Sequence, residues 1–331
     1  MAAARIASTR IDIEIKKTLE SIQENKNCKL LHLPDYIIHE DQKCIMITPI
    51  EEKQSRMLES YEPKITYKLD LFRKFFKNKL LVIPAGIHYI IINNVIDSYI
   101  DFSKAIDLEY LEYSYHMGSR CNDAYKTILW PPNLKYLILH NYPYPLSNLP
   151  DGLKYLRVPR IITGSLDNLP ASLIGLDFDG TPYECKYDVE LNYLPHGLRY
   201  LGLLGNVECE LDNLPLTLEV LNLDADEYSQ SLNCLPDNIR YLTLGNSRVP
   251  ITKLPNALKE LTIYYDVVAK GGVYSRDTYD ILADMNFPEG LEKLIITDEL
   301  RLIDSEMHRA IHNLIISKNN SLNGQQIVIK N

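Results

Sequence analysis

Apolar residues recur along this chain in one uneven frame. LPDGLKYLRV begins at Leu149, LPASLIGLDF at Leu169, LPHGLRYLGL at Leu194, LPLTLEVLNL at Leu214, LPDNIRYLTL at Leu235 and LPNALKELTI at Leu254. The shared frame is Leu-Pro-x-x-Leu-x-x-Leu-x-Leu, with a further apolar residue three positions upstream (Leu146, Leu166, Leu191, Leu211, Leu232, Ile251). Weaker copies extend it: IPAGIHYIII from Ile83, WPPNLKYLIL from Trp130 and FPEGLEKLII from Phe287, with KAIDLEYLEY from Lys104 and MHRAIHNLII from Met307 lacking the proline. The last two leucines of each copy alternate with other residues, which is strand periodicity. The proline fixes φ and has no N–H to give a ladder, so it suits the turn entering a strand. A strand this short is stable only when stacked on its copies, and prolines at 150, 170, 195, 215, 236 and 255 set a unit of about 20 residues.

The fold class this predicts is an α/β-type solenoid, mostly β: a curved right-handed coil with one parallel sheet on its concave face. The predicted organisation is an N-terminal capping or adaptor region over 1–80 and a repeat array over 81–331. The array holds about 11 repeats, an insertion at 265–286 and a C-terminal cap at 317–331.

On these residues the stretch from 83 to 316 resembles leucine-rich repeat proteins, and more narrowly the FNIP-repeat branch, whose units also begin with Leu-Pro. GNSRVPITKLPNALKELTI, from Gly245, carries the resemblance best. It implies a protein-interaction role in the cytoplasm of amoebae or of cells infected by their large DNA viruses. The FNIP tetrapeptide is absent, and an asparagine follows the strand in register only at Asn206 and Asn319, so no asparagine ladder is expected. The frame is also similar to that of bacterial LPX-type effectors, but the large ligase domain those carry is not expected in the residues after the last repeat.

Outside the frame, KCIMITPI at 43–50 reads as a strand and 51–60 as a short helix, while LDLFRKFFKNKL at 69–80 is basic and amphipathic. Solenoids need terminal units that cover an open core, so residues 1–80 read first as a cap, with Phe72, Phe75 and Phe76 plugging the first coil. FNIP-type chains often carry an F-box, and LPDYII at Leu33 echoes one. The alternative function is therefore substrate recognition for a ubiquitin ligase. The 265–286 insertion reads as a solvated loop with a short helix near TYDILADM, or as a loop on a binding face. IVIK at 327–330 reads as a last strand.

Composition narrows the chemistry. A net charge of -9 opposes a nucleic-acid or anionic membrane partner. No run approaches the ~20 apolar residues of a membrane span, and Asp12 and Glu14 interrupt any signal-peptide core. The protein is expected to be soluble, intracellular and cytoplasmic. Six scattered cysteines (Cys28, Cys44, Cys121, Cys185, Cys209, Cys234) form no Cys-x-x-Cys pair, so neither a disulfide framework nor a zinc site is expected. Signatures of nucleophilic, zinc-dependent or nucleotide-dependent enzymes are missing. His308 and His312 lie in a strand-turn frame, and the acidic run Asp177, Asp179, Glu184, Asp188, Glu190 reads as a solvated face or a calcium site. No enzyme activity, cofactor, metal or small-molecule substrate is expected; the expected partner is a protein.

The 23 tyrosines, against 6 phenylalanines, sharpen the expectation. Five positions after the proline stand Tyr89, Tyr136, Tyr155, Tyr200 and Tyr241, with Tyr110 in the copy that lacks proline and Gly175 and Val220 interrupting the run. These residues alternate with the buried leucines, so they face the concave side in a row. Two readings fit: rings packed on each other as a structural ladder, or an aromatic stripe for a partner. The candidate partner-binding set is these six tyrosines with Arg157, Asp177, Asn222 and Thr243, and Tyr136 and Tyr155 are expected to be partly exposed.

Overall fold

The computed structural model describes residues 29–30, 36–40, 44–49, 66–70, 80–95, 99–115, 128–142, 145–159, 166–179, 190–205, 209–224, 228–245, 251–265, 285–298 and 326–330. The strands are, in order, β1 (Lys29–Leu30), β2 (Tyr36–Glu40), β3 (Cys44–Pro49), β4 (Thr66–Asp70), β5 (Leu80–Val82), β6 (Tyr89–Val95), β7 (Tyr99–Asp101), β8 (Tyr110–Tyr115), β9 (Tyr136–His140) and β10 (Tyr155–Pro159). They continue with β11 (Gly175–Asp179), β12 (Tyr200–Leu204), β13 (Val220–Asp224), β14 (Tyr241–Leu244), β15 (Glu260–Tyr265), β16 (Lys293–Asp298) and β17 (Gln326–Lys330). The chain divides into two compact units, one spanning Asp12–Leu173 and the other Ile174–Asn331. Each is a parallel β-solenoid of stacked coils.

In the first unit β1, β4, β6, β8, β9 and β10 are neighbours in that order, each described pair being parallel. A smaller sheet runs β2-β3-β5-β7, in which only β2 and β3 are antiparallel. The second unit stacks β11 to β17 in sequence order. Ten of the eleven sequence copies place a strand where the frame predicts it; the copy from Met307 lies outside the described residues. The neighbour of β16 is β17, through Leu294↔Ile327 and Ile296↔Ile329. The ladder also reaches upstream of residue 81, because β4 alternates as the repeat strands do and pairs with β6.

Register follows from the leucines. Leu111 aligns with Leu137, and Leu137 with Leu156; in the second unit Leu176, Leu201, Leu221, Leu242, Leu261 and Leu294 align in succession. All are buried. A one-residue slip would turn every leucine to the opposite face, so the aliphatic row locks the pairing. The expectation of helix beside the sheet is corrected: among the described residues there is none. The described residues between strands form tight turns, as suits short segments rich in proline and asparagine.

The Leu-Pro dipeptide has a defined job. Its proline carbonyl accepts the N–H of the leucine three residues on: Leu153 from Pro150, Leu173 from Pro170, Leu198 from Pro195 and Leu218 from Pro215, each at 3.0 Å. Leu108 makes the same bond to Ala105 at 3.3 Å, so the copy without proline keeps the turn. Proline supplies the preset φ, not the hydrogen bond. After the turn, one carbonyl of the preceding coil accepts two N–H groups. Lys135 receives Lys154 and Tyr155 at 2.8 and 3.0 Å, and Arg199 receives Glu219 and Val220 at 2.9 and 3.0 Å. These shared acceptors bolt each coil to the last. At the far end of the strand the chain leaves the sheet through positive φ, at Asn141 (52°) and Gly205 (86°), residue types that tolerate the left-handed region.

Candidate functional site

The ten candidate residues stand where the frame puts them. In the first unit Tyr89, Tyr110, Tyr136 and Tyr155 align across four consecutive coils, and Arg157 aligns with Ile138 and, one coil further, Glu112. In the second unit Gly175, Tyr200, Val220 and Tyr241 form one row and Asp177, Gly202, Asn222 and Thr243 the next. Alternation turns both rows away from the leucine core.

Their exposure differs from expectation. Tyr136 and Tyr155 are 7% and 2% exposed, and Tyr110, Tyr200, Arg157, Asp177 and Asn222 are buried as well; only Tyr89, Tyr241 and Thr243 are half-buried. The partly exposed stripe predicted at Tyr136 and Tyr155 is therefore corrected. The geometry supplies the reason. Two of the hydroxyls are held along the strand by the side chain two positions on. Tyr110 donates to Glu112 Oε2 at 3.2 Å, and Arg157 Nη2 donates to the Tyr155 hydroxyl at 3.2 Å. Over Gly202 the Tyr200 hydroxyl takes the volume a side chain would need: a Cβ there would lie 2.7 Å from it and would collide with Asp177 Oδ1. Neighbouring rings then cover one another, as Tyr89 and Tyr110 do edge-to-face at 6.2 Å.

Glu112 is the electrostatic centre of the first unit's rows. Its Oε1 lies 3.3 Å from His140 Nε2 while Oε2 takes the Tyr110 hydroxyl. Burial alone pushes the carboxyl up. The hydrogen bond and charge of His140, the Tyr110 hydroxyl and the Arg157 guanidinium outweigh it, and Glu112 is held below the usual carboxylate range. Tyr110 is pushed well up, by burial first and then by the Glu112 charge. A depressed folded-state carboxyl contributes stability that is complete above the unfolded value of 4.5 and is lost as pH falls through the folded value. The wild-type Tm is therefore expected to fall more steeply than that of Glu112→Gln between about pH 5 and about pH 3. Equal slopes in a calorimetric pH series would show that the carboxylate gains nothing on folding.

Among the described residues no group of three or more His, Cys, Asp or Glu could hold a metal ion. Asp177 is buried, and Glu184 and Asp188 of the acidic run lie outside the described residues, as do His308, His312, Phe72, Phe75, Phe76 and nearly all of the 265–286 insertion. Cys209 is buried and Cys234 exposed, and neither is joined in a disulfide. Among the described residues no helix is long and apolar enough to cross a membrane.

Sequence reasoning passed over a different surface. Among the described residues the large hydrophobic side chains that are exposed are Ile106, Leu129, Tyr193 and Leu216, at 52%, 73%, 64% and 74%. All four belong to the turns and none to a strand. Leu129 and Tyr193 stand two positions before the proline, and Ile106 and Leu216 one position after it or its alanine substitute. The signal was present as a substitution pattern: the same positions hold Asn148, Asn168, Asn213, Asp151 and Asp237 in other copies. The chain matches no protein-family model and no curated protein.

Proposed function

We propose that the protein is a non-enzymatic interaction scaffold of leucine-rich-repeat, FNIP-like type, a right-handed cytoplasmic coil that holds a protein partner. Stacking in register makes any residue type repeated at one position into a row with strand spacing, about 4.8 Å. Such rows suit an extended partner surface, and they require no convergent catalytic cleft. The observation that carries the reading is the placement of Ile106, Leu129, Tyr193 and Leu216. Isolated apolar residues on a surface are ordinary, but these fall in pairs on successive repeat copies, Ile106 and Leu129 in the first unit and Tyr193 and Leu216 in the second, always beside the Leu-Pro position. Tyr89 in the first unit and Tyr241 and Thr243 in the second are half-buried on the strands. The buried tyrosines serve as the structural ladder.

Residues 1–80 are proposed as the cap. The ubiquitin-ligase adaptor gains no support from the described residues, where Tyr36–Glu40, overlapping the LPDYII stretch, is a strand and not the helix an F-box needs. The test is affinity capture with the full chain from the cells that make it. A defined protein is expected to be retained, and to be lost from at least one of Ile106→Asp/Leu129→Asp and Tyr193→Asp/Leu216→Asp with circular dichroism unchanged. Capture of the same protein by both variants, or of none by the wild type, overturns the reading.

A further inference from the structure

We propose that the turn edge around Tyr193 and Leu216 docks a basic, apolar-containing segment of a protein partner. This rests on the scaffold reading and names the chemistry its partner must offer. Two adjacent coils build the patch. Asn213 Nδ2 donates to Asn192 Oδ1 at 2.8 Å, and Thr217 Oγ1 donates to the Leu198 carbonyl at 2.8 Å, so the two turns are held side by side. Tyr193 and His196 on one coil and Asn213 and Leu216 on the next are exposed, and they occupy the positions that flank the buried pairs Leu194–Pro195 and Leu214–Pro215. The base is rigid, so a partner settling on the two apolar side chains orders little of the protein.

Charge selects the partner. Glu190 and Glu210 occupy the same repeat position on the two coils, five residues before the proline, with Asp212 beside Glu210. All three are exposed, and none has an ion pair among the described residues. Among the described residues of these coils the cation is Arg199, which is engaged by Glu219 at 3.0 Å beyond the turn. One coil further on the pattern changes, and Asp237 meets Lys253 at 3.7 Å. The negative field also reaches inward. Tyr228, whose hydroxyl donates to the Cys209 carbonyl at 3.0 Å, is held above the usual tyrosine range by burial first, then by Cys209, Asp212 and Glu210. An apolar pair bordered by carboxylates that have no ion pair among the described residues favours a segment that sets Lys or Arg beside an aliphatic or aromatic side chain, and a cation can also rest on the Tyr193 ring. Acidic segments and nucleic-acid backbones are repelled.

The test is a random-peptide display library panned on the full chain. Enriched peptides are expected to combine Lys or Arg with a large apolar residue. Affinity for the synthesised consensus peptide is expected to fall about 10-fold in Tyr193→Ser/Leu216→Ser. In Glu190→Gln/Glu210→Gln/Asp212→Asn it is expected to fall several-fold and to lose its dependence on salt between about 0.05 and 0.5 M. All five positions are exposed, and unchanged thermal melts serve as the control. Peptides without basic residues, or peptides that bind both variants as tightly as the wild type, overturn this inference while leaving the scaffold reading in place. A library that yields no binder overturns both.

Discussion

Leu201→Ala is expected to remove about 3–5 kcal/mol of unfolding free energy from the second unit. Leu201 is fully buried and sits between Leu176 and Leu221 in the aligned row. Truncation leaves a cavity that the flanking coils cannot close, because their backbones are fixed by ladder bonds and by the shared carbonyl acceptors at Ile174 and Arg199. A repeat array is stabilised by coupling between neighbouring coils, so the loss is expected to spread to β11 and β13. Urea unfolding followed by circular dichroism measures the total, and hydrogen exchange locates it, with amides of β11 to β13 losing protection first. A change below about 1 kcal/mol would mean that Leu201 does not lie in a close-packed row.

Tyr113→Ala is expected to destabilise the first unit by about 3–5 kcal/mol, for a different reason. The leucine after Leu111 in the usual frame is here Tyr113, buried at the centre of an aromatic cluster. Its ring lies 5.9 Å from that of Tyr115 and 6.4 Å from both Trp130 and Tyr142, and Trp130 lies 5.9 Å from Tyr142. Trp130 also donates its indole N–H to the Ser147 carbonyl at 3.2 Å. Removing Tyr113 therefore opens a void and costs edge-to-face contacts worth about 0.5–1.5 kcal/mol each. The chain has one tryptophan, so its emission reports this cluster alone. The variant is expected to emit at longer wavelength before unfolding begins and to unfold at lower urea. Unchanged emission would place Trp130 outside the cluster.

The two substitutions separate what could be read in advance from what could not. The stacking of Leu111, Leu137 and Leu156 in the first unit, and of Leu201, Leu221 and Leu242 in the second, was legible because a period-two apolar pattern with a turn signal every 20 or so residues has one stable solution, a parallel ladder sharing an aliphatic core. The strand at Cys44–Pro49 was legible from its own composition. The pairing of β17 with β16 was less so, since Gln326–Lys330 carries the alternation without the Leu-Pro turn, and its position depends on which strand edge remains open. The smaller sheet was not legible at all, because β2, β3, β5 and β7 are brought together by the main coil's register and not by any local pattern.

The candidate site divides the same way. The sequence by itself determined which residues share a face, since alternation along a strand is a property of the backbone. It placed Tyr89 through Tyr155 in one row and the leucines opposite. Only the tertiary structure decided that most of those tyrosines are buried and that the exposed apolar residues lie at the turns. Exposure depends on where a side chain's tip goes: the residue two positions on holds the tips of Tyr110 and Tyr155, and the rings of Tyr89 and Tyr110 meet across neighbouring coils. Neither neighbour has a fixed meaning until the coils are stacked.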